Sequence, residues 1–216
     1  MTRPLLFTFD IFGTVIDWRR GLRDEMAARG LALSDADFDR VIDAQGEEES
    51  GEFRPYASIV ASSLVRVLGL PADAAGAIGA RVGTWPPYPD SATALRRLIQ
   101  VAPCVATTNS DRVHGEQVQS GLGFRLSGWV CAEEERVYKP SPRLLRAAGA
   151  RLGVVPGPHW WHVSAYADYD LETARSLGLT CVYVERPHAR PGRAEVTTAD
   201  LLGLADRVES MRGAAG

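Results

Sequence analysis

Asp10 closes the short apolar run Leu5-Leu6-Phe7-Thr8-Phe9 and is followed closely by Gly13 and Thr14. Lys139 stands before Pro140 in a polar stretch, and Asp168 and Asp170 come shortly after the run Trp160-Trp161-His162-Val163-Ser164. Carboxylates and a lysine are the residue types that carry nucleophilic, acid–base and electrostatic chemistry when one crevice collects them. Each alone has an ordinary reading. An Asp at a turn caps it, a Lys before a Pro is solvated, and Asp170, next to Leu171, is a plausible helix N-cap.

What would collect them is a sheet. The run ending at Asp10 carries aromatic and apolar residues without alternation, as expected of a parallel strand covered on both faces. Further strands are expected at residues 103–108, 129–132, 160–164 and 180–184. Helices are expected at 143–152 and 171–177, with a last one running from Asp200 to about Met211. This alternation predicts an α/β fold with a parallel sheet. Strand ends in such a sheet converge on one crevice, which places Asp10, Thr107-Thr108-Asn109-Ser110, Lys139 and the segment after Ser164 together.

Between the first two strands the pattern is helical. Leu22, Met26 and Ala27, then Phe38, Val41 and Ile42, fall at spacings of three and four. Ser34 with Asp37 reads as a helix start. Residues 45–52 are acidic, either a helix end or a solvated face. A third helix ends at Gly69, and residues 71–84 form a weaker fourth. Trp85-Pro86-Pro87-Tyr88-Pro89 marks a stiff return to the core.

The stretch Asp10-Ile11-Phe12-Gly13-Thr14 resembles the first motif of the haloacid dehalogenase superfamily, in which the Asp is the nucleophile. Thr108-Asn109 resembles the second motif, Lys139-Pro140 the third, and the loop after Ser164 the fourth. The resemblance covers nearly the whole chain. It implies a Rossmann-like core at residues 1–16 and 88–216 and a helical cap domain at 17–87 that closes over the crevice. It also implies that Thr14 belongs to the nucleophile turn, that Lys139 bridges the nucleophile and keeps it ionised, and that Thr108 holds a substrate carboxylate. Asn109 would help hold a leaving halide. Ser164 and Tyr166 fill places that hold a Ser and an Asn in the 2-haloacid dehalogenases. Asp170 would activate water, with Asp168 as the alternative in a shifted register.

Superfamily phosphatases carry a second Asp two residues after the nucleophile as general acid. Here that place is Phe12, which cannot donate a proton and would line an apolar wall. A metal-side carboxylate of those enzymes corresponds to Ala165. The resemblance is therefore strongest to the 2-haloacid dehalogenase branch, which implies hydrolysis of a short 2-haloacid through an aspartyl ester. A small anionic substrate, a halide product and no cofactor would follow. Two other readings stay open: a Mg²⁺-dependent phosphatase of a small metabolite, and a catalytically idle ligand-binding protein. The dehalogenases' halide-gripping Arg would fall near Val41; Arg40 and Arg54 are the nearby candidates. A Tyr of those enzymes, six residues after the Lys, is Leu145 here.

Composition excludes other classes. The chain has 216 residues, 45% hydrophobic and 24% charged, with a net charge of −3 and scattered Lys and Arg. No basic footprint for nucleic acid is visible. No apolar run approaches a membrane span, and the first residues lead straight into a strand, so a cytoplasmic protein is expected. The three cysteines read as buried small hydrophobes. Cysteine-based phosphate chemistry would want an Arg six residues after its Cys, where Ser110, Val137 and Pro187 stand. The four histidines form no ligand cluster, and His162 reads as structural. The oligomeric state stays open, a homodimer being compatible with the resemblance.

Overall fold

A computed structural model describes residues 2–213. Six strands form one parallel sheet: β1 (Leu6–Phe9), β2 (Cys104–Thr108), β3 (Gly128–Cys131), β4 (Trp160–Ser164), β5 (Thr180–Val184) and β6 (Val196–Thr198). Their order is β3-β2-β1-β4-β5-β6. The chain steps outward from β1 to β3, then returns to the other side of β1 with β4. The crevice where strand order reverses therefore opens at the carboxyl end of β1, where Asp10 stands.

Every residue of β1, β2, β4 and β5 is buried, which explains their mainly apolar character, with Thr8, Thr107, Thr108, His162, Ser164 and Thr180 as buried polar exceptions. Phe7 and Phe9 join one core cluster while Leu6 joins the other, so the two faces of β1 are packed against different layers. On the Leu6 face, alternation carries Thr8 and then Asp10 upward toward the crevice.

After β1 come four helices, α1 (Trp18–Ala27), α2 (Asp35–Glu49), α3 (Tyr56–Leu68) and α4 (Ala72–Gly79), before the chain returns through the Ser91–Ile99 helix to β2. Their ends are legible in sequence terms. Ser34 and Asp37 form a reciprocal capping box, and Gly69 closes α3 in the left-handed conformation at φ 66°. The acidic segment after Gln45 continues α2 to Glu49. The remaining helices are α5 (Ser91–Ile99), α6 (Arg112–Leu122), α7 (Ala132–Glu135), α8 (Arg143–Leu152), α9 (Glu172–Ser176) and α10 (Leu201–Gly213), and a single wide turn of helix at Ala167–Leu171 leads into α9.

The helical insertion is tied to the core by buried polar contacts. The Asp111 carboxylate accepts from Tyr56 N and Ala57 N at 2.8 Å each, satisfying free donors at the start of α3. His114 Nδ1 accepts from Asp111 N, so its Nε2 carries the proton that it donates to Gly79 O at 2.9 Å. Asp90 receives both arms of Arg186 at 2.8 and 2.9 Å, and Arg186 Nε donates to Thr14 O at 3.0 Å. That fork fixes the backbone just after the Asp10 turn.

The sequence reading did not anticipate α6, α7 or β6. In α6 the buried positions include the polar His114 and Gln119, while Val113 is exposed, so hydrophobic periodicity is masked. At three residues, β6 is too short to carry a pattern. Cys104, Cys131 and Cys181 are free and buried, as expected.

Candidate functional site

Three charged side chains meet at the carboxyl ends of β1 and β4. Lys139 Nζ donates to Asp10 Oδ1 at 2.9 Å and to Asp170 Oδ2 at 2.9 Å. The Thr14 hydroxyl donates to Asp10 Oδ2 at 2.7 Å and accepts from Ala165 N at 2.9 Å, linking the Asp10 turn to the loop after β4. Gly13 makes this turn possible. Its φ is +95°, and a Cβ there would collide with the Tyr166 ring.

A second layer lies beneath. His162 is fully buried, and its Nε2 lies 3.1 Å from Asp170 Oδ1. Its Nδ1 is 2.8 Å from Thr8 Oγ1, which in turn accepts from Trp160 Nε1 at 2.9 Å. The indole can only donate, so the Thr8 proton is free for His162 Nδ1. This assigns the remaining ring proton to Nε2, facing Asp170.

The two carboxyls are held differently. Burial pushes Asp10 above the ordinary carboxylate range, against the pull of Lys139 and Thr14. Burial would also raise Asp170, but the charge of Lys139 and the contact with His162 overcome it and hold that group well below its usual value. Lys139 would be lowered by burial, yet its two carboxylate partners hold it up, so it stays an ammonium.

Above this triad lies a cavity of about 640 Å³. The core contributes Asp10, Phe12, Thr108, Asn109, Lys139 and Tyr166 to its walls, and the insertion contributes Trp18, Gln45, Glu49 and Tyr56 among others. Phe12 packs toward Tyr56 with ring centroids 6.2 Å apart, and Trp18 Nε1 donates to Tyr166 Oη at 3.2 Å. Asn109 Oδ1 accepts from Lys139 N at 2.8 Å and so fixes the Lys139 loop. Thr108 Oγ1 donates to Ser110 Oγ at 3.2 Å.

Asp10, Thr14, Thr108, Asn109, Lys139, Tyr166 and Asp170 are thus brought together. Ser164 is buried and accepts from Tyr166 N at 3.1 Å, shaping the loop from below. Asp170 is not among the cavity walls; it reaches them only through Lys139. Asp168 is on the rim, paired with Arg190 at 3.3 Å. Arg40 and Arg54 are outside the cavity, which corrects the expectation that either grips a ligand. Arg40 lies on the exposed side of α2 and pairs with Asp37, while Arg54 pairs with Glu48. Val41 is in the core.

Two pocket or second-layer residues escaped sequence reasoning. His162 sits among tryptophans and looked structural, although its spacing of two from Ser164 places both on one strand face. Glu49 was hidden within an acidic run that reads as solvated.

The oxygens that could face a divalent cation here are partly engaged. Asp10 and Asp170 each give an oxygen to Lys139, Asp168 is paired with Arg190, and Ala165 offers no side-chain oxygen. Among the described residues, no group of three or more His, Cys, Asp and Glu is placed to hold a metal, and no helix is long and apolar enough to cross a membrane.

The family model for haloacid dehalogenase-like hydrolases matches residues 5–178. Among solved structures, a defluorinating L-2-haloacid dehalogenase superposes with a TM-score of 0.82 at 22% identity, covering 95% of each chain. L-2-haloacid dehalogenase from Xanthobacter autotrophicus gives 0.80 at 18% identity over 97% of this chain and 99% of that one. A putative hydrolase of the same superfamily from Bacillus subtilis, solved with magnesium, gives 0.77 at 13% identity over 96% of this chain and 100% of its own. No curated protein matches the chain in sequence.

Proposed function

The chain belongs to the haloacid dehalogenase-like hydrolase family, and we propose that within it the protein hydrolyses 2-haloacids through an ester on Asp10. The observation that carries this reading is the Asp10–Lys139–Asp170 arrangement combined with Phe12 two residues after Asp10. A phosphatase needs a proton donor at that place; a dehalogenase does not, because halide leaves unprotonated.

In the proposed reaction an Asp10 carboxylate oxygen attacks the halogen-bearing carbon, and the carbon–halogen bond breaks with its electron pair leaving on halide. Lys139 and Thr14 hold Asp10 in place and favour its ionised form. The substrate carboxylate lies toward Thr108. Esterification removes the charge on Asp10, after which Lys139 faces only Asp170. Water then adds to the ester carbonyl while one of its protons passes to Asp170, which His162 backs. The bond between the carbonyl carbon and the substrate-bearing oxygen breaks, that oxygen takes the proton back as the hydroxy acid leaves, and loss of the second proton to solvent restores the Asp10 carboxylate. Residues 17–87 act as a cap domain over the core formed by 1–16 and 88–216, excluding bulk water from the cavity.

A paired assay tests this: halide release from 2-bromo- and 2-chloropropionate against phosphate release from small phosphate esters, each with and without chelator. Halide release unaffected by chelator is expected. Phosphate release that chelator abolishes and Mg²⁺ restores would replace the proposal by the phosphatase reading.

The pH dependence has a defined sign. Asp10 attacks only as a carboxylate, and burial holds its pKa above the ordinary range of about 4. Activity is therefore lost as pH falls, and the acid limb of kcat/KM lies above the ordinary carboxylate pKa. An acid limb at or below about 4 would contradict the environment assigned to Asp10.

A further inference from the structure

Glu49 ends α2 and faces the same cavity as Asp10. Its Oε2 accepts from Asn109 Nδ2 at 2.9 Å, and no cation lies within ion-pair distance of it among the described residues. Other carboxylates around the cavity are compensated. Asp10 and Asp170 share Lys139, Asp168 has Arg190, and Asp111 takes two backbone N–H groups. Glu49 therefore stands with one neutral donor. Desolvation dominates its behaviour and pushes its carboxyl up to about 7, with the nearby Asp10 charge adding to the rise and Asn109 and Lys139 opposing it.

The wall that α2 presents carries Ile42, Gln45, Gly46 and Glu49, and no arginine. Gln45 is itself engaged, accepting from Tyr56 Oη and donating to Ser63 Oγ at 3.2 Å each. The cavity of about 640 Å³ is also far larger than a two- or three-carbon acid fills, which leaves space between Asp10 and this wall.

We infer that Glu49, held by Asn109, is a specificity-determining recognition point on the cap side, and that it selects substrates carrying an ammonium or another strong hydrogen-bond donor at the end remote from the reacting carbon. A cation or donor there supplies the compensation the α2 wall withholds, whereas a second carboxylate beside Glu49 adds like charge, the cavity's arginines, Arg136 and Arg190, standing on other walls. This rests on the reading that Asp10 attacks a carbon beside a carboxylate, which fixes the near end of the substrate.

Two measurements test it separately from that reading. The first is calorimetric binding of halogen-free acids to the Asp10→Asn protein, comparing ω-amino acids of increasing length with the alkanoic and dicarboxylic acids of matched length. The best ω-amino acid is expected to bind at least about tenfold more tightly than its alkanoic counterpart, with the dicarboxylic acid weakest. Glu49→Gln, which keeps an acceptor for Asn109, should remove the preference, and Glu49→Lys should turn it toward the dicarboxylic acid. The second measurement is halide release by the intact enzyme from the matched 2-bromo acids. Binding selectivity that depends on Glu49, without halide release from any substrate, would retain the recognition point and overturn the dehalogenase reading. Halide release with no preference for the remote ammonium, or a preference that Glu49→Gln leaves unchanged, would overturn the inference.

Discussion

Asp10→Asn is expected to abolish halide release, by several powers of ten in kcat, while the protein remains folded. The amide is nearly isosteric with the carboxylate; its oxygen can still accept from Lys139, and its NH2, in the place of Oδ2, can donate to the Thr14 hydroxyl oxygen. Packing around β1 is therefore preserved. What is lost is the nucleophile: an amide oxygen does not displace halide at a useful rate. Steady-state halide assays together with circular dichroism and a thermal melt check this. Mass spectrometry must show that the amide has not deamidated to Asp. Near-normal turnover in verified Asp10→Asn protein would remove Asp10 from the mechanism.

Lys139→Met is expected to damage both activity and stability. In the native protein one ammonium neutralises two buried carboxylates at 2.9 Å each. Removing one partner of a buried ion pair costs about 3–5 kcal/mol, because the remaining charges stay desolvated. Without the lysine, burial and mutual repulsion raise the carboxyl pKa values in the folded state above those in the unfolded chain. Groups shifted upward in this way contribute their stability below the unfolded pKa and lose it as pH rises through the folded one. The variant's melting temperature should therefore recover toward wild type as pH falls, and the deficit should be greatest at neutral to alkaline pH. Halide release should fall by at least about a hundredfold, since a protonated Asp10 does not attack and an ionised one lacks its counter-charge. Equal melting temperatures for wild type and variant across this pH range would mean that the lysine does not neutralise the pair.

Much of this arrangement was legible before any coordinates. The mainly apolar run ending at Asp10 is the mark of a strand covered on both faces, and the alternation of strands with helices placed Asp10 and the loop after Ser164 at one edge of a parallel sheet. Ser34 with Asp37 and Gly69 announced helix ends through capping chemistry that acts locally, so it can be read locally. Other features depend on what meets in space. Arg40 is only one residue from the spacing expected of a gripping arginine, yet a shift of one position turns a helical side chain by about 100°. It points away to Asp37 instead of into the cavity. Glu49 is the reverse case: it belongs to a run of glutamates, and only the packing of α2 against the Asn109 loop turns it inward. His162 lies 3.1 Å from Asp170 in the buried layer beneath the site, an approach that no spacing along the chain encodes.

Single turnover in ¹⁸O-water, with enzyme in excess over a 2-haloacid, tests the central claim most directly. If Asp10 forms an ester and water attacks its carbonyl, the label enters the Asp10 carboxylate, and the hydroxy acid from that first turnover carries an unlabelled oxygen. Peptide mass spectrometry across the segment containing Asp10 should therefore show a gain of one ¹⁸O atom. Label found in the hydroxy acid and absent from Asp10 after one turnover would mean that water attacks the substrate carbon itself, and the covalent account would be wrong.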